Sequence, residues 1–158
     1  MEKIELRFGA WYQYQEDWME PQQCIALQRW LVENMTWEER VIYAFGKEVT
    51  QPRLMSWCGT LPYQYSGQVL PPVAIPEPLM TVLTALQAVC ETPFNHIVLN
   101  RYRDQQDHMS LHADNEPELG RNPVIAAISL GSERVFHMLP KARKGRYKHQ
   151  RKLKLSNG

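Results

Sequence analysis

The sequence predicts an α+β fold in a single domain, because two helical segments precede a run of short strands. Its 158 residues match one ordinary domain, which buries about two-thirds of its unfolded surface. Hydrophobic residues make up 44% and charged residues 22%, both close to the globular average. These values exclude an intrinsically disordered chain and a collagen-like fibre.

Two segments carry the apolar periodicity of amphipathic helices. The first follows Asp17, has Pro21 at an early helical position, and is predicted to end near Asn34. The second follows Pro78, and Pro93 prevents much continuation beyond it. Its apolar stripe consists of Leu79, Val82, Leu83, Leu86, Val89 and Cys90. We expect both helices to buttress a sheet or one half of a sandwich.

Short apolar runs predict the strands. Residues 41–45 and 54–57 precede Gly46 and Gly59, which indicates strands joined by a turn. The proline-rich segment 60–78 is predicted to be an ordered loop. Further strands are predicted after the second helix, over residues 96–102, 124–130 and 134–138.

Charge is divided unevenly along the chain. The net charge is +1, but residues 141–158 hold eight Lys or Arg and no acid, which leaves −7 for residues 1–140. A basic segment of this kind can follow a phosphate backbone or an anionic lipid surface. The alternative is a solvated, flexible end.

Cellular location and redox chemistry are constrained by what the sequence lacks. No apolar run reaches the roughly 18 residues of a membrane span, and the start has no signal-like apolar region. We therefore expect no membrane association and a location in the cytoplasm, or in the nucleus if the host is a eukaryote. We also expect a monomer. Cys24, Cys58 and Cys90 are odd in number and widely spaced, which argues against a disulfide framework or a zinc knuckle.

Residues 100–116 contain the candidate metal ligands and the candidate donors to a bound carboxylate. On a strand, His112 and Asp114 would present an imidazole and a carboxylate on the same face. With one further histidine they would form the facial triad of non-haem Fe(II) oxygenases, which leaves positions open for a cosubstrate and dioxygen. Asn100 and Tyr102 share the same spacing and offer neutral donors to a carboxylate. The alternative is a polar turn beside a core tyrosine.

Several motifs follow one another in the order typical of one family. They are F-N-H-I-V-L-N-R-Y-R-D, H-M-S-L-H-A-D-N-E-P-E-L-G and P-V-I-A-A-I-S-L-G-S-E-R-V-F, between residues 94 and 136. Over roughly residues 40–140 the chain resembles the AlkB family of Fe(II)- and 2-oxoglutarate-dependent dioxygenases, which remove alkyl groups from nucleic-acid bases. Upstream, F-G-K-E-V-T-Q-P-R and Y-Q-Y-S-G are similar to the branch of that family acting on duplex DNA.

The resemblance implies a double-stranded β-helix, or jelly-roll, core. It implies Fe(II), 2-oxoglutarate and O2 as cofactor and cosubstrates. By the same resemblance, His112 and Asp114 are two iron ligands, and Asn100 and Tyr102 bind 2-oxoglutarate.

The resemblance also implies a set of nucleic-acid contacts. A hairpin at residues 45–47 would push an aromatic side chain into the base stack, and residues 63–65 would form a lid over the flipped base. Asn115 stands where the duplex-acting branch has an acid. The full set is Phe45, Gly46, Lys47, Arg53, Tyr63, Gln64, Tyr65, Asn115 and Glu116.

The implied reaction is oxidative demethylation of N1-methyladenine and N3-methylcytosine in DNA, with alkylated duplex DNA as the partner. A methylated base of this kind is cationic and pairs poorly, so it is cheaper to flip and is attracted to aromatic faces. The alternatives are a non-catalytic nucleic-acid-binding remnant and a related 2-oxoglutarate oxygenase that acts on RNA or protein.

The chain departs from the family pattern at its C-terminal end. The second iron histidine and an arginine pair would follow the final L-K-L-S-N-G, so we expect an incomplete jelly roll and a chain that is weakly active or inactive alone. His137 and His149 are the histidines downstream of Asp114, and neither occupies the matching position.

Overall fold

The computed structural model describes residues 2–44, 46–65, 68–114, 116–140 and 150–158, with the backbone alone for Ala44, Gln64, Tyr65 and Gln68. Phe45, Asn115 and the basic residues of 141–149 therefore lie outside the described residues. The chain divides into two compact units. The first contains residues 1–33 and 127–158, and the second contains residues 34–126.

Two helices and nine strands are present among the described residues. The helices are α1 (Pro21–Asn34) and α2 (Glu77–Cys90). The strands are β1 (Ile4–Glu5), β2 (Trp11–Tyr12), β3 (Glu38–Ala44), β4 (Lys47–Gly59), β5 (Tyr63–Tyr65), β6 (Gln68–Leu70), β7 (His96–Arg101), β8 (Arg134–Met138) and β9 (Arg151–Leu155).

Both predicted helices are confirmed, because their apolar spacing and prolines match the helical period. Pro21 opens α1, where its missing N–H has no helical partner to lose. Cys24, Leu27 and Leu31 of α1 are buried, as are Leu79 and Leu83 of α2. Neither helix is long and apolar enough to cross a membrane, over the part of the chain that is described.

The central element of the second unit is an antiparallel sheet in the order β3-β4-β7. The hairpin of β3 and β4 confirms the two strands predicted before the second helix, although β4 already begins at Lys47. Gly46 in the connecting turn has φ +77°, a backbone conformation that favours glycine. The Tyr43 hydroxyl donates to the Gly46 carbonyl oxygen at 2.9 Å and closes the turn.

Two predicted segments have a different structure. The loop predicted over residues 60–78 contains the short hairpin of β5 and β6, and this prediction was wrong because two three-residue strands are too short to produce a recognisable period. The strand predicted over residues 124–130 is also wrong, since none of these residues belongs to a described strand. An apolar run becomes a strand only where a neighbouring backbone offers a ladder of hydrogen bonds.

The last described residues are not the solvated, flexible end considered as an alternative above. Strand β9 pairs antiparallel with β8, so part of the basic segment lies on a two-stranded sheet in the first unit. The Tyr14 hydroxyl donates to the Lys154 carbonyl oxygen at 2.9 Å and accepts from the Ser156 N–H at 3.0 Å. Helices and antiparallel sheets together confirm the α+β class, whereas no described sheet exceeds three strands and the jelly roll stays a prediction.

We expect Gly59→Ala to destabilise the second unit by about 1–3 kcal/mol, because the strands approach too closely to admit a methyl group. A Cβ at Gly59 would lie 2.8 Å from the Asn95 carbonyl oxygen and 3.0 Å from the His96 Cα, both fixed backbone atoms. Urea denaturation measures the effect. The control is Thr60→Ala at the exposed neighbouring position, and an equal effect of the two substitutions would contradict the steric explanation.

Candidate active site

A buried face of β4 forms the floor of the candidate site. Gln51, Arg53 and Met55 alternate along this strand, and all three are buried, with Arg53 only 3% exposed. Alternate residues of a strand project from one face. Because buried arginine and glutamine require polar partners, this face is unlike an ordinary hydrophobic core.

Asn100 joins this face from the neighbouring strand. It is the cross-strand partner of Met55 in the β4–β7 ladder, and its side-chain Oδ1 accepts from Arg53 Nε at 2.7 Å. Tyr102 is half-buried and follows directly after β7, which ends at Arg101, one residue before the predicted end. Arg53, which was predicted among the nucleic-acid contacts, is buried and bonds to Asn100 in this structure; its contact with nucleic acid stays a prediction.

The loop that follows β7 is held by a carboxylate that sequence reasoning missed. Asp107, which is 5% exposed, accepts from Arg103 Nε at 2.8 Å and from Arg103 Nη2 at 3.0 Å. Asp104 Oδ1 accepts from the Gln106 N–H at 2.8 Å, and the His108 N–H donates to the Pro52 carbonyl oxygen at 2.8 Å. These contacts tie the loop to β4. The spacing of Arg103 and Asp107 was the available signal.

Hydrogen bonds to Asp107 and Glu39 raise the pKa of Arg103, so this guanidinium stays charged. Its Nη1 contacts Glu39 Oε1 on β3 at 2.5 Å. The loop is thereby tied to two strands of the sheet, which restricts where the following residues can lie.

His112 and Asp114 meet at the end of this loop. His112 Nε2 lies 3.2 Å from Asp114 Oδ1, and the two side chains are 45% and 44% exposed. Residues 112–114 are not part of a strand, contrary to the prediction, so the loop rather than a pleat brings the two groups together. His112 Nδ1 lies 2.9 Å from the Ser110 carbonyl oxygen. A carbonyl can only accept, so Nδ1 donates to it. Nε2 faces the carboxylate and donates to it when this nitrogen is protonated as well; on the neutral ring Nε2 carries the lone pair that a metal would take up.

The electrostatics of this pair agree with its geometry. The hydrogen bond to Asp114 raises the pKa of His112, against desolvation and the nearby positive charge of Arg53, and the same hydrogen bond lowers the pKa of Asp114. Arg53 therefore acts on His112 as well as on Asn100. The Arg53–Asn100 hydrogen bond and the His112–Asp114 pair are thus coupled through the charge of Arg53.

This donor set fits a divalent transition metal. Imidazole nitrogen and carboxylate oxygen are the ligands of non-haem Fe(II), and neighbouring ligands at about 2.1 Å from a metal lie roughly 3 Å apart. The separation of 3.2 Å between Nε2 and Oδ1 meets that condition. Within the described ranges no group of three or more His, Cys, Asp and Glu residues could hold a metal.

The remaining predicted residues are described only in part. Gly46 and Lys47 lie at the β3–β4 turn, and Lys47 is roughly 20 Å from Arg53 along β4. Glu116 has a buried Oε2 that makes no hydrogen bond to any described residue. Phe45 and Asn115 lie outside the described residues, as do the side chains of Gln64 and Tyr65.

His96 is a second residue that sequence reasoning missed. Its ring lies against the Tyr63 ring, with centroids 4.7 Å apart and planes tilted by 40°. Both of its ring nitrogens are buried and make no hydrogen bond within the described part of the chain. Burial lowers the pKa of His96, because the charged imidazolium would lose its hydration. No sequence signal distinguishes this histidine from an exposed one.

We expect His96 to make the protein less stable in mild acid. Its folded-state pKa lies below the unfolded value of 6.5, so the unfolded chain takes up a proton first as pH falls. The free energy of unfolding should decline below pH 6.5 by at most about 1.4 kcal/mol per pH unit, down to the folded pKa. Denaturation of the wild type and His96→Phe across this range measures the difference; parallel curves would contradict it.

Comparison with known proteins identifies the family to which this chain belongs. Residues 12–158 match the 2OG-Fe(II) oxygenase superfamily. The chain is 35% identical over 112 residues to alpha-ketoglutarate-dependent dioxygenase alkB homolog 3 of Bos taurus, which covers 70% of this chain and 39% of that protein. It is 33% identical over 126 residues to the Homo sapiens protein of the same name, covering 79% and 41%.

A second group of relatives matches the same region. The chain is 32% identical over 117 residues to DNA oxidative demethylase ALKBH2 of Homo sapiens, which covers 73% of this chain and 45% of that protein. The chain thus spans less than half the length of these relatives. The match extends through both units of the structure and includes the loop that carries His112 and Asp114. The chain belongs to the AlkB family of the 2OG-Fe(II) oxygenase superfamily.

Proposed function

We propose that this protein acts in the oxidative demethylation of N1-methyladenine and N3-methylcytosine in DNA. The observation that carries the proposal is the separation of 3.2 Å between His112 Nε2 and Asp114 Oδ1. Membership of the family implies Fe(II) as the metal cofactor, with 2-oxoglutarate and O2 as cosubstrates. Its members include a protein named DNA oxidative demethylase ALKBH2.

Each polar side chain of the site has a part in this reaction. His112 would hold the metal through Nε2, because its Nδ1 proton is engaged with the Ser110 carbonyl. Asp114 would supply the anionic ligand, since its lowered pKa keeps it deprotonated at neutral pH. The amide of Asn100 and the phenol of Tyr102 would donate to a carboxylate of 2-oxoglutarate.

When bound, the iron lets 2-oxoglutarate and O2 insert oxygen into a C–H bond of the N-methyl group. The methyl carbon leaves as formaldehyde, the cationic base loses one proton and becomes neutral, and 2-oxoglutarate becomes succinate and CO2. The side chains of the site would hold 2-oxoglutarate and the methylated base close together and correctly oriented.

Selection of the base would fall to residues around this site. The buried Glu116 Oε2 has no hydrogen bond among the described residues, so it is available to an exocyclic amine or to the positive charge of a methylated base. Tyr63 supplies an aromatic face, and Lys47 a cation for a phosphate. We propose further that a double-stranded β-helix holds these elements. Phe45 would insert into the base stack as a wedge.

Turnover of defined oligonucleotides tests the proposal. We expect formaldehyde and succinate to be released in equal amounts from DNA that contains N1-methyladenine, and none from unmethylated DNA. Duplex DNA, single-stranded DNA and RNA of one sequence should be compared, because a preference for RNA would contradict the DNA assignment. DNA binding without release of any product would favour the alternative of a non-catalytic nucleic-acid-binding remnant.

A further inference from the structure

Arg53 occupies an unusual position for an arginine. It is 3% exposed on β4, and its Nε donates to Asn100 Oδ1 at 2.7 Å. Its Nη2 lies 3.9 Å from Met55 Sδ. Arginine is almost never buried unless its donors are engaged, so this placement needs a reason beyond packing. The family resemblance places the residue near the nucleotide and does not account for the contact with Asn100.

We propose that Arg53 is a positioning residue that fixes the side-chain amide of Asn100 and directs its amino group to a carboxylate ligand. The proposal rests on the proposed function for the identity of that carboxylate, which is 2-oxoglutarate. Arg53 itself does not touch the ligand; it acts through Asn100.

Donor and acceptor chemistry determines the orientation of the amide. A guanidinium has only donors, whereas an amide has an oxygen that accepts and a nitrogen that donates. The amide oxygen must therefore face Arg53, because the flipped amide would oppose N–H to N–H. The amino group of Asn100 is left on the other side, free to donate to an anion.

The sheet limits the freedom that remains to Asn100. Asn100 and Met55 are cross-strand partners, so the β4–β7 ladder holds the backbones of both strands. Only the side-chain torsions of Asn100 are left to be fixed. The charged donor makes this hydrogen bond stronger than a neutral one, and the burial of Arg53 limits competition from water.

Side-chain amide NMR tests the orientation without any ligand. The Asn100 amide protons are assigned by their loss in Asn100→Ala, and we expect them to shift and broaden in Arg53→Met. The control is Arg40→Met, because Arg40 lies on the same sheet but stacks over Trp57, 5.2 Å from its ring centroid. Unchanged Asn100 resonances in Arg53→Met would overturn the proposal. If Arg53→Met does not fold, Arg53→Lys gives the same test, since a lysine cannot place a donor where Nε lies.

Binding of 2-oxoglutarate in the presence of Mn(II) tests the consequence. We expect the Kd to rise about tenfold in Arg53→Met and to stay unchanged in Arg40→Met. The variant Arg53→Met/Asn100→Ala should bind no more weakly than Asn100→Ala alone. Independent, additive losses would overturn the proposal, because Arg53 would then act by another route. Failure of the wild type to bind 2-oxoglutarate would instead refute the proposed function, and the NMR experiment would still decide whether Arg53 holds the amide.

Discussion

Asp114→Asn is expected to lower the affinity for a divalent transition metal by more than about 100-fold. Loss of a partner outside the first ligand shell already costs 10- to 100-fold in typical sites, and Asp114 is one of the two metal ligands proposed above. The amide is neutral and binds such metals poorly. Calorimetric titration with Mn(II) measures the loss, and demethylation should disappear with it.

Asp104→Asn is the matched control for this change. Asp104 lies in the same loop, and its Oδ1 accepts from the backbone N–H groups of Gln106 and Asp107. Asparagine caps a turn as well as aspartate does, so the same charge is removed with little structural effect. Equal metal affinity in Asp114→Asn and the wild type would rule out the assignment of this carboxylate as a ligand. In His112→Ala, by contrast, DNA binding should persist whereas demethylation should be lost.

Asp107→Ala is expected to destabilise the second unit by about 2–3 kcal/mol. The carboxylate is buried and accepts three hydrogen bonds from Arg103, one from the backbone N–H at 2.9 Å and two from the guanidinium. Its removal takes three hydrogen bonds from Arg103, whose backbone N–H and guanidinium lose a carboxylate that is itself buried. Urea denaturation measures the change, and metal affinity should fall as well because this loop carries His112 and Asp114.

Glu39→Ala tests whether the burial of Asp107 is what matters, because Glu39 and Asp107 both pair with Arg103 and only Asp107 is buried. Glu39 is the other carboxylate partner of Arg103, but its side chain is 52% exposed. An exposed pair contributes at most about 1 kcal/mol, since water and salt screen it. If both substitutions destabilised the protein equally, burial of Asp107 would not be the source of its effect.

Local patterns predicted the helices well and the short elements poorly. The period of α1 and α2 repeats over 14 residues in each helix, so the apolar stripe and the flanking prolines sufficed. Strands β5 and β6 have three residues each, too few for any period to show. The run of residues 124–130 has strand-like composition, but pairing depends on a neighbour that is distant in the sequence.

The candidate site shows the same division. His112 and Asp114 could be selected from their chemistry and spacing, although the strand geometry assumed for them was wrong. The hydrogen bond of Arg53 to Asn100 joins residues far apart in the sequence, and so does the tilted ring contact of Tyr63 with His96. No local pattern contains either contact.

By itself the sequence determined the α+β class, the family and the chemical types of the reacting side chains, because periodicity, turn residues and motifs are local properties of the chain. Only the tertiary structure decided that Arg53 is buried beneath Asn100, and that a loop held by Asp107, rather than a strand, brings His112 to Asp114. The physical reason is that burial and hydrogen-bond partners depend on which distant segments pack together.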